Sequence, residues 1–167
     1  MSKLRRHYQG ANIYFITAVT YDRSPILVQN SDLLLTAMRM LEEIDGVEIV
    51  AWVIMPDHIH MVMDSGLEDL SRLMHRMKQK FAAQYRSRKR ITSGRLWQHR
   101  FWDHMIRDDE DLRKHIDYIH YNPVKHGICR SPTDYPHSSF NEFLQNGYYD
   151  DEWGTKDEPR FDGAFGE

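Results

Sequence analysis

Val47-Glu48-Ile49-Val50-Ala51-Trp52-Val53-Ile54-Met55-Pro56-Asp57-His58-Ile59-His60-Met61-Val62-Met63 reads as two apolar runs joined by a Pro-Asp pair. Proline presets the backbone for a turn and aspartate suits one, so Val47–Met55 and His58–Met63 are expected to pair as a hairpin. Side chains alternate along a strand. His58, His60 and Val62 therefore share one face, and Ile59, Met61 and Met63 share the other. With the second set in the core, the imidazole pair is left on the outer face of the sheet, where neutral ring nitrogens can chelate a divalent cation.

Working outward, Asn12–Thr20 is β-branched and aromatic and runs into Asp22, Ser24 and Pro25, the signature of a first strand and its turn. Ser31–Ile44 carries Leu34, Leu35, Met38 and Leu41 at helical spacing, with Asp45-Gly46 as its stop. From about Leu67 to Lys89 a longer helix places Leu70, Leu73, Met74, Met77, Phe81 and Tyr85 on one face. Leu96–Ile106 alternates as a fourth strand, and Asp108–Asn122 reads as a third helix stopped by Pro123. The order is β-α-β-β-α-β plus an additional C-terminal helix, which predicts an α+β, ferredoxin-like antiparallel sheet with helices on one face. Residues 1–140 are expected to form the single domain and 141–167 an acidic, turn-rich tail.

With 167 residues, 41% of them hydrophobic, the chain is suited to one packed core. No apolar run approaches the length of a membrane span, and the basic N-terminus lacks a secretory h-region, so the expected setting is cytoplasmic. The single Cys129 agrees with a reducing compartment. Net charge is −3, yet its distribution is lopsided: Ser71–Arg100 holds ten Lys or Arg and no acid, whereas Asp134–Glu167 holds nine acids. A one-sided basic helix points to a polyanion such as nucleic acid. Trp97, Phe101 and Trp102 interleave with polar residues and could stack unpaired bases.

The third helix adds chemistry. Leu112, Ile116 and Ile119 form its apolar side, with Asp111, His115, Tyr118 and Asn122 beside it as a polar stripe. If that helix covers the sheet face bearing His58 and His60, Asn122 completes a metal site and Tyr118 stands one turn away as a nucleophile for a phosphodiester. His115, His120 and Lys125 are candidate helpers. Tyr121 projects away from the sheet and is expected to be a surface residue. The acidic tail could lie over the basic groove and compete with phosphates; a solvated tail is the plainer expectation.

The segments Ala51–Val62, Leu96–His104 and Asp117–Gly127, taken in order, resemble the single-tyrosine HUH transposases and, more narrowly, the REP-associated tyrosine transposases. The likeness begins near Arg5-Arg6 and runs to about Trp153-Gly154. It implies that His58, His60 and Asn122 hold Mg²⁺ or Mn²⁺ and that Tyr118 is the nucleophile. Single-stranded DNA beside a hairpin of the repetitive extragenic palindrome type would be cleaved through a 5′-phosphotyrosine link and rejoined, with no nucleotide cofactor and no membrane. Arg5, Arg6, Arg72, Arg76, Lys78, Lys80, Arg86, Arg100 and Trp97 would contact DNA, and a monomer is favoured over a dimer. Asp57 stands where relatives often have Asn or Glu. Two other classes stay open: a hairpin-binding regulator without cleavage, and a metal-dependent hydrolase of small phosphoesters.

Overall fold

A computed structural model describes residues 12–155 and 159–166. Arg5 and Arg6 lie outside the described residues, as do Asp157 and Glu158. Four strands, β1 (Ile13–Val19), β2 (Glu48–Ile54), β3 (His58–Asp64) and β4 (Trp102–Met105), form one antiparallel sheet in the order β2-β3-β1-β4. The helices are α1 (Ser31–Glu42), α2 (Leu70–Lys89), α3 (Asp109–Lys125) and the short α4 (Phe140–Gln145). No described helix is long and apolar enough to cross a membrane.

Alternation along β1 and β3 divides the interior into two cores. Ile16, Ala18, Ile59, Met61 and Met63 meet α1 and α2 through Leu34, Met38, Leu41, Leu73, Met74, Met77 and Phe81. On the opposite face Ile13, Phe15, Ala51, Val53 and Val62 meet α3 through Leu112, Ile116, Tyr118 and Ile119. The helices thus occupy both faces rather than one. The reason is the third helix: its apolar side has only the remaining face of the sheet on which to be buried. His58 and His60 lie on that covered face, 4% and 0% exposed, so the pair is interior rather than outward-facing.

Two boundaries differ from expectation. β4 is confined to Trp102–Met105; the residues before it join β1 only through the Thr20–Trp97 bridge, with Tyr21 N–H donating to Leu96 O and Gln98 N–H to Val19 O. Trp97 turns inward against Phe81, ring centroids 5.4 Å apart. Pro123 does not stop α3, which continues to Lys125. A proline inside a helix removes one N–H donor, yet here the closing bonds are made around it: His126 N–H donates to Asn122 O and Ile128 N–H to Pro123 O.

The C-terminal stretch is packed rather than merely solvated. Phe143, Tyr148, Phe161 and Phe165 join the second core, and Gly166 sits so tightly that a Cβ on it would lie 2.6 Å from Trp102 Cβ. Its φ of +74° also favours glycine.

Candidate active site

The cross-strand register sets the site. His60 pairs with Thr17 and His58 with Val19, so both imidazoles and the threonine hydroxyl project toward α3. The two histidine rings are 4.8 Å apart, and His60 lies 5.3 Å from the Tyr118 ring in an edge-to-face contact. Tyr118 is 1% exposed, and Asn122, one turn further along α3, is fully buried. α3 begins with Asp108, whose carboxylate accepts from Asp111 N–H, and its first turn holds Asp109, Glu110 and Asp111, acids that suit a helix N-terminus.

Hydrogen bonds orient the histidines. Asp57 Oδ1 is 2.7 Å from His58 Nδ1, and Arg23 Nη1 is 3.1 Å from Asp57 Oδ2. Burial works against charge on Asp57, but the bonds and charges of His58 and Arg23 outweigh it and hold the carboxyl below its ordinary range. Thr17 Oγ1 lies 2.7 Å from His60 Nδ1 and donates its hydrogen to Phe165 O at 2.5 Å. With that hydrogen spent, the hydroxyl accepts from His60 Nδ1–H. Lys125 Nζ donates to Tyr118 Oη at 3.0 Å and stands 4.8 Å over the tyrosine ring. Phe165 lies flat against the Tyr118 ring, with centroids 3.7 Å apart and planes 8° apart. A cavity of about 410 Å³ opens between Tyr118, Tyr121 and Lys125 and the C-terminal residues Pro159, Phe161 and Phe165.

Of the three candidate helpers, only Lys125 reaches the tyrosine oxygen. His120 is buried in another network: Tyr149 Oη donates to Asp117 Oδ1 at 2.8 Å, and His120 bridges Tyr149 Oη (2.9 Å) and Ser139 Oγ (2.8 Å). Burial pushes His120 down to about 3, so it is a neutral strut between α3 and the β2 edge. His115 Nδ1 donates to Asp111 O at 2.7 Å, and burial also lowers its pKa. Tyr121 is 7% exposed and lines the cavity instead of projecting into solvent. The helix lies closer to the C-terminal segment than an isolated helical projection could reveal.

His104, Asp111 and His115 form a second group that could hold a metal ion, their ligand atoms within 4.8 Å of one another. The Asp111 carboxylate is already heavily engaged, by His104 Nε2 at 2.8 Å and by Arg107 N and Nε at 3.0 and 3.1 Å. Burial opposes its charge, but these donors hold the carboxyl well below the usual carboxylate range. The sequence reading missed this cluster as a unit, although Asp111 and His115 at i, i+4 were its visible half.

The basic residues of α2 lie beyond the opposite core. Arg72, Arg76, Lys80 and Arg100 are exposed, and Arg86 donates to Gly94 O at 2.7 Å. Acids at the edge of this run and beyond it take part of the charge: Glu68, one helical turn before it, pairs with Arg72 at 2.8 Å, and folding brings Asp32 of α1 to Arg88 at 2.5 Å. Lys78 donates to Gln98 O at 3.1 Å beside the Trp97 and Phe101 rings, and burial pushes its pKa down to about 8. Trp97, expected as a stacking platform, is 6% exposed and belongs to the core, where it meets the Phe81 ring in a T-shaped contact. Within the C-terminal stretch, Lys114 Nζ of α3 donates to Asp162 O.

Residues 8–122 match the family described as Transposase IS200 like. The REP-associated tyrosine transposase of Escherichia coli (strain K12) is 33% identical over 156 residues, covering 92% of this chain and 91% of that one. A Haemophilus influenzae protein given the same description provisionally is 36% identical over 165 residues, covering 92% of this chain and 94% of its own. A solved REP-associated tyrosine transposase bound to a REP hairpin superposes with a TM-score of 0.82 at 32% identity, covering 100% of this chain and 98% of that one. The covered histidine pair, the helix-borne tyrosine and these likenesses agree, and the chain belongs to the IS200-like transposase family, among its REP-associated tyrosine transposases.

Proposed function

We propose that the protein cleaves and rejoins single-stranded DNA beside a hairpin of the repetitive extragenic palindrome type, with Tyr118 as the nucleophile. The observation that carries this reading is the meeting of the Tyr118 ring with His60 on the covered sheet face while Lys125 Nζ holds its oxygen at 3.0 Å. A monomer with its tyrosine in cis is part of the proposal, as the packing of α3 on the histidine-bearing sheet face of its own chain allows.

The donor set fits a divalent ion. Asp57 engages Nδ1 of His58, and Thr17 takes the Nδ1 hydrogen of His60. In each ring Nε2 is then the nitrogen that would ligate, and a carboxylate on the far nitrogen of a ligating histidine raises its basicity. His58, His60 and the Asn122 amide oxygen would hold Mg²⁺ or Mn²⁺. Such an ion supplies charge neutralisation to the phosphate and its leaving oxygen. His104, Asp111 and His115 are the weaker candidates, because Asp111 Oδ2 is already bonded by His104 and Arg107.

The reading includes a substrate path that the fold allows. The sheet separates α2 from the histidines, so in this proposal a strand held by Arg72, Arg76, Lys78, Lys80 and Arg86 passes the sheet end to reach them. Residues 96–101 lie there, bonded to Val19 and Tyr21, and Val19 is the register partner of His58. Arg100 is exposed on that segment and extends the run of phosphate-binding charge toward the site. Arg5 and Arg6 complete the proposed contacts.

The test mixes the protein with labelled hairpin-bearing single strands in Mn²⁺ or EDTA and follows a denaturant-resistant adduct. A metal-dependent adduct lost in Tyr118→Phe and kept in Tyr121→Phe is the expected result. Tight, salt-sensitive binding without an adduct makes the protein a regulator, and phosphoester hydrolysis that survives Tyr118→Phe makes it a hydrolase.

A further inference from the structure

We propose that Lys125 is a catalytic residue of strand transfer, its ammonium donating a hydrogen bond to Tyr118 Oη whenever that oxygen carries charge. This rests on the cleavage reading above and adds to it a second residue at the reacting atom. The argument begins with the helix continuing past Pro123. Seven residues are about two helical turns, so Lys125 returns to the stripe that carries Tyr118. Had α3 stopped at Asn122, no helix geometry would have aligned them.

The polarity of the contact matters. Lys125 is the donor and Tyr118 Oη the acceptor, so the bond strengthens as negative charge builds on the oxygen. The lysine is solvent-exposed at the cavity mouth, whereas Tyr118 is 1% exposed with Phe165 against its ring. A purely structural tyrosine at a helix-sheet seam needs no cation at its hydroxyl.

The step balances. In cleavage the phenolic proton is lost to solvent, Oη attacks phosphorus, the Oη–P bond forms and the P–O3′ bond breaks, and the departing 3′ oxygen takes up a proton. In rejoining a 3′-hydroxyl loses its proton and attacks the same phosphorus, the P–Oη bond breaks, and the phenolate leaves and is reprotonated. Lys125 keeps its protons throughout and stabilises Oη as nucleophile in one direction and as leaving group in the other.

The experiment measures single-turnover adduct formation and rejoining in Mn²⁺ for wild type, Lys125→Ala, Lys125→Gln and Lys125→Arg, with hairpin affinity measured separately. Lys125→Gln is expected to slow both directions by roughly 10- to 100-fold, the range for a hydrogen bond to a charged group, with affinity changed less than twofold. Lys125→Arg retains most of the rate, and ethylammonium restores Lys125→Ala. A substrate whose scissile 3′ oxygen is replaced by sulfur leaves the Lys125→Gln defect in place, because the lysine serves Oη and not the 3′ atom. Rates that fall only in proportion to affinity, a defect removed by the sulfur leaving group, or unchanged rates would each overturn the proposal. Wild type that forms no adduct refutes the cleavage reading; the lysine is then judged without DNA, by acetylation of the Tyr118 oxygen with N-acetylimidazole read by mass spectrometry. Slower acetylation in Lys125→Gln sustains its role at Oη, and equal acetylation ends it.

Discussion

Phe165→Ala should uncover Tyr118 without dismantling the sheet. The Phe165 ring is 7% exposed, stacks on Tyr118 at 3.7 Å, and meets Phe15 and His115 edge-on or tilted. Burying such a side chain contributes about 1.5–3 kcal/mol, and a favourable ring pair adds about 0.5–1.5 kcal/mol. The ring belongs to a terminal segment whose ordering costs about 1–2 kcal/mol per residue in backbone entropy, so docking is a balance that this one side chain tips. Loss of about 2–4 kcal/mol shifts the docked-to-lifted ratio by roughly 30- to 1,000-fold. Hydrogen exchange of residues 159–166, together with acetylation of Tyr118, reads that shift directly. Faster exchange in the segment and faster modification of Tyr118, with the exchange of β1 and β3 unchanged, is the expected result. Tail protection equal to wild type, or a global loss of protection, would refute the reasoning.

Four further outcomes follow from the site and its surroundings. Because burial lowers Lys78 to about 8, its charge is lost between about pH 7 and 9, and hairpin affinity should fall over that window in wild type but not in Lys78→Met. The linkage sign for stability is opposite: the unfolded lysine keeps its proton to higher pH, so wild type gains stability relative to Lys78→Met as pH rises above 8, read from urea midpoints. Asp57→Ala removes the carboxylate behind His58 and should weaken Mn²⁺ binding by roughly 10- to 100-fold in calorimetry, with the fold unchanged by circular dichroism. Asp111 has a depressed folded pKa, so its contribution is present above its unfolded value near 3.8 and lost as pH falls below it; the stability gap between wild type and Asp111→Asn should close on acidification from pH 5 to 2.

Much of the fold could be read from periodicity alone. The hairpin around Pro56-Asp57, the β1 strand and the apolar faces of α1 and α2 appear where alternation and helical spacing require, because burial of one face leaves its period in the sequence. Boundaries failed where tertiary contact overrode local preference. Leu96–Phe101 alternates like a strand, yet its pairing is reduced to the Thr20–Trp97 bridge while the Trp97 ring packs against Phe81. Pro123 reads as a stop, yet burial against the second core and bonds made around it carry the helix on to Lys125.

The residues of the candidate site were each visible as types: a His-x-His strand and a Tyr-x-x-x-Asn helix announce their chemistry through side-chain spacing. That they meet could not be read from either segment, since their approach depends on α3 taking the sheet face opposite α1 and α2. The same limit hid Phe165 from the sequence reading, 47 positions beyond Tyr118 and stacked upon it. Spacing is a local property written along the chain. Which tryptophan is core, which face of the sheet α3 covers and that Arg88 finds Asp32 are set by contacts distant in sequence, and only the packed structure decides them.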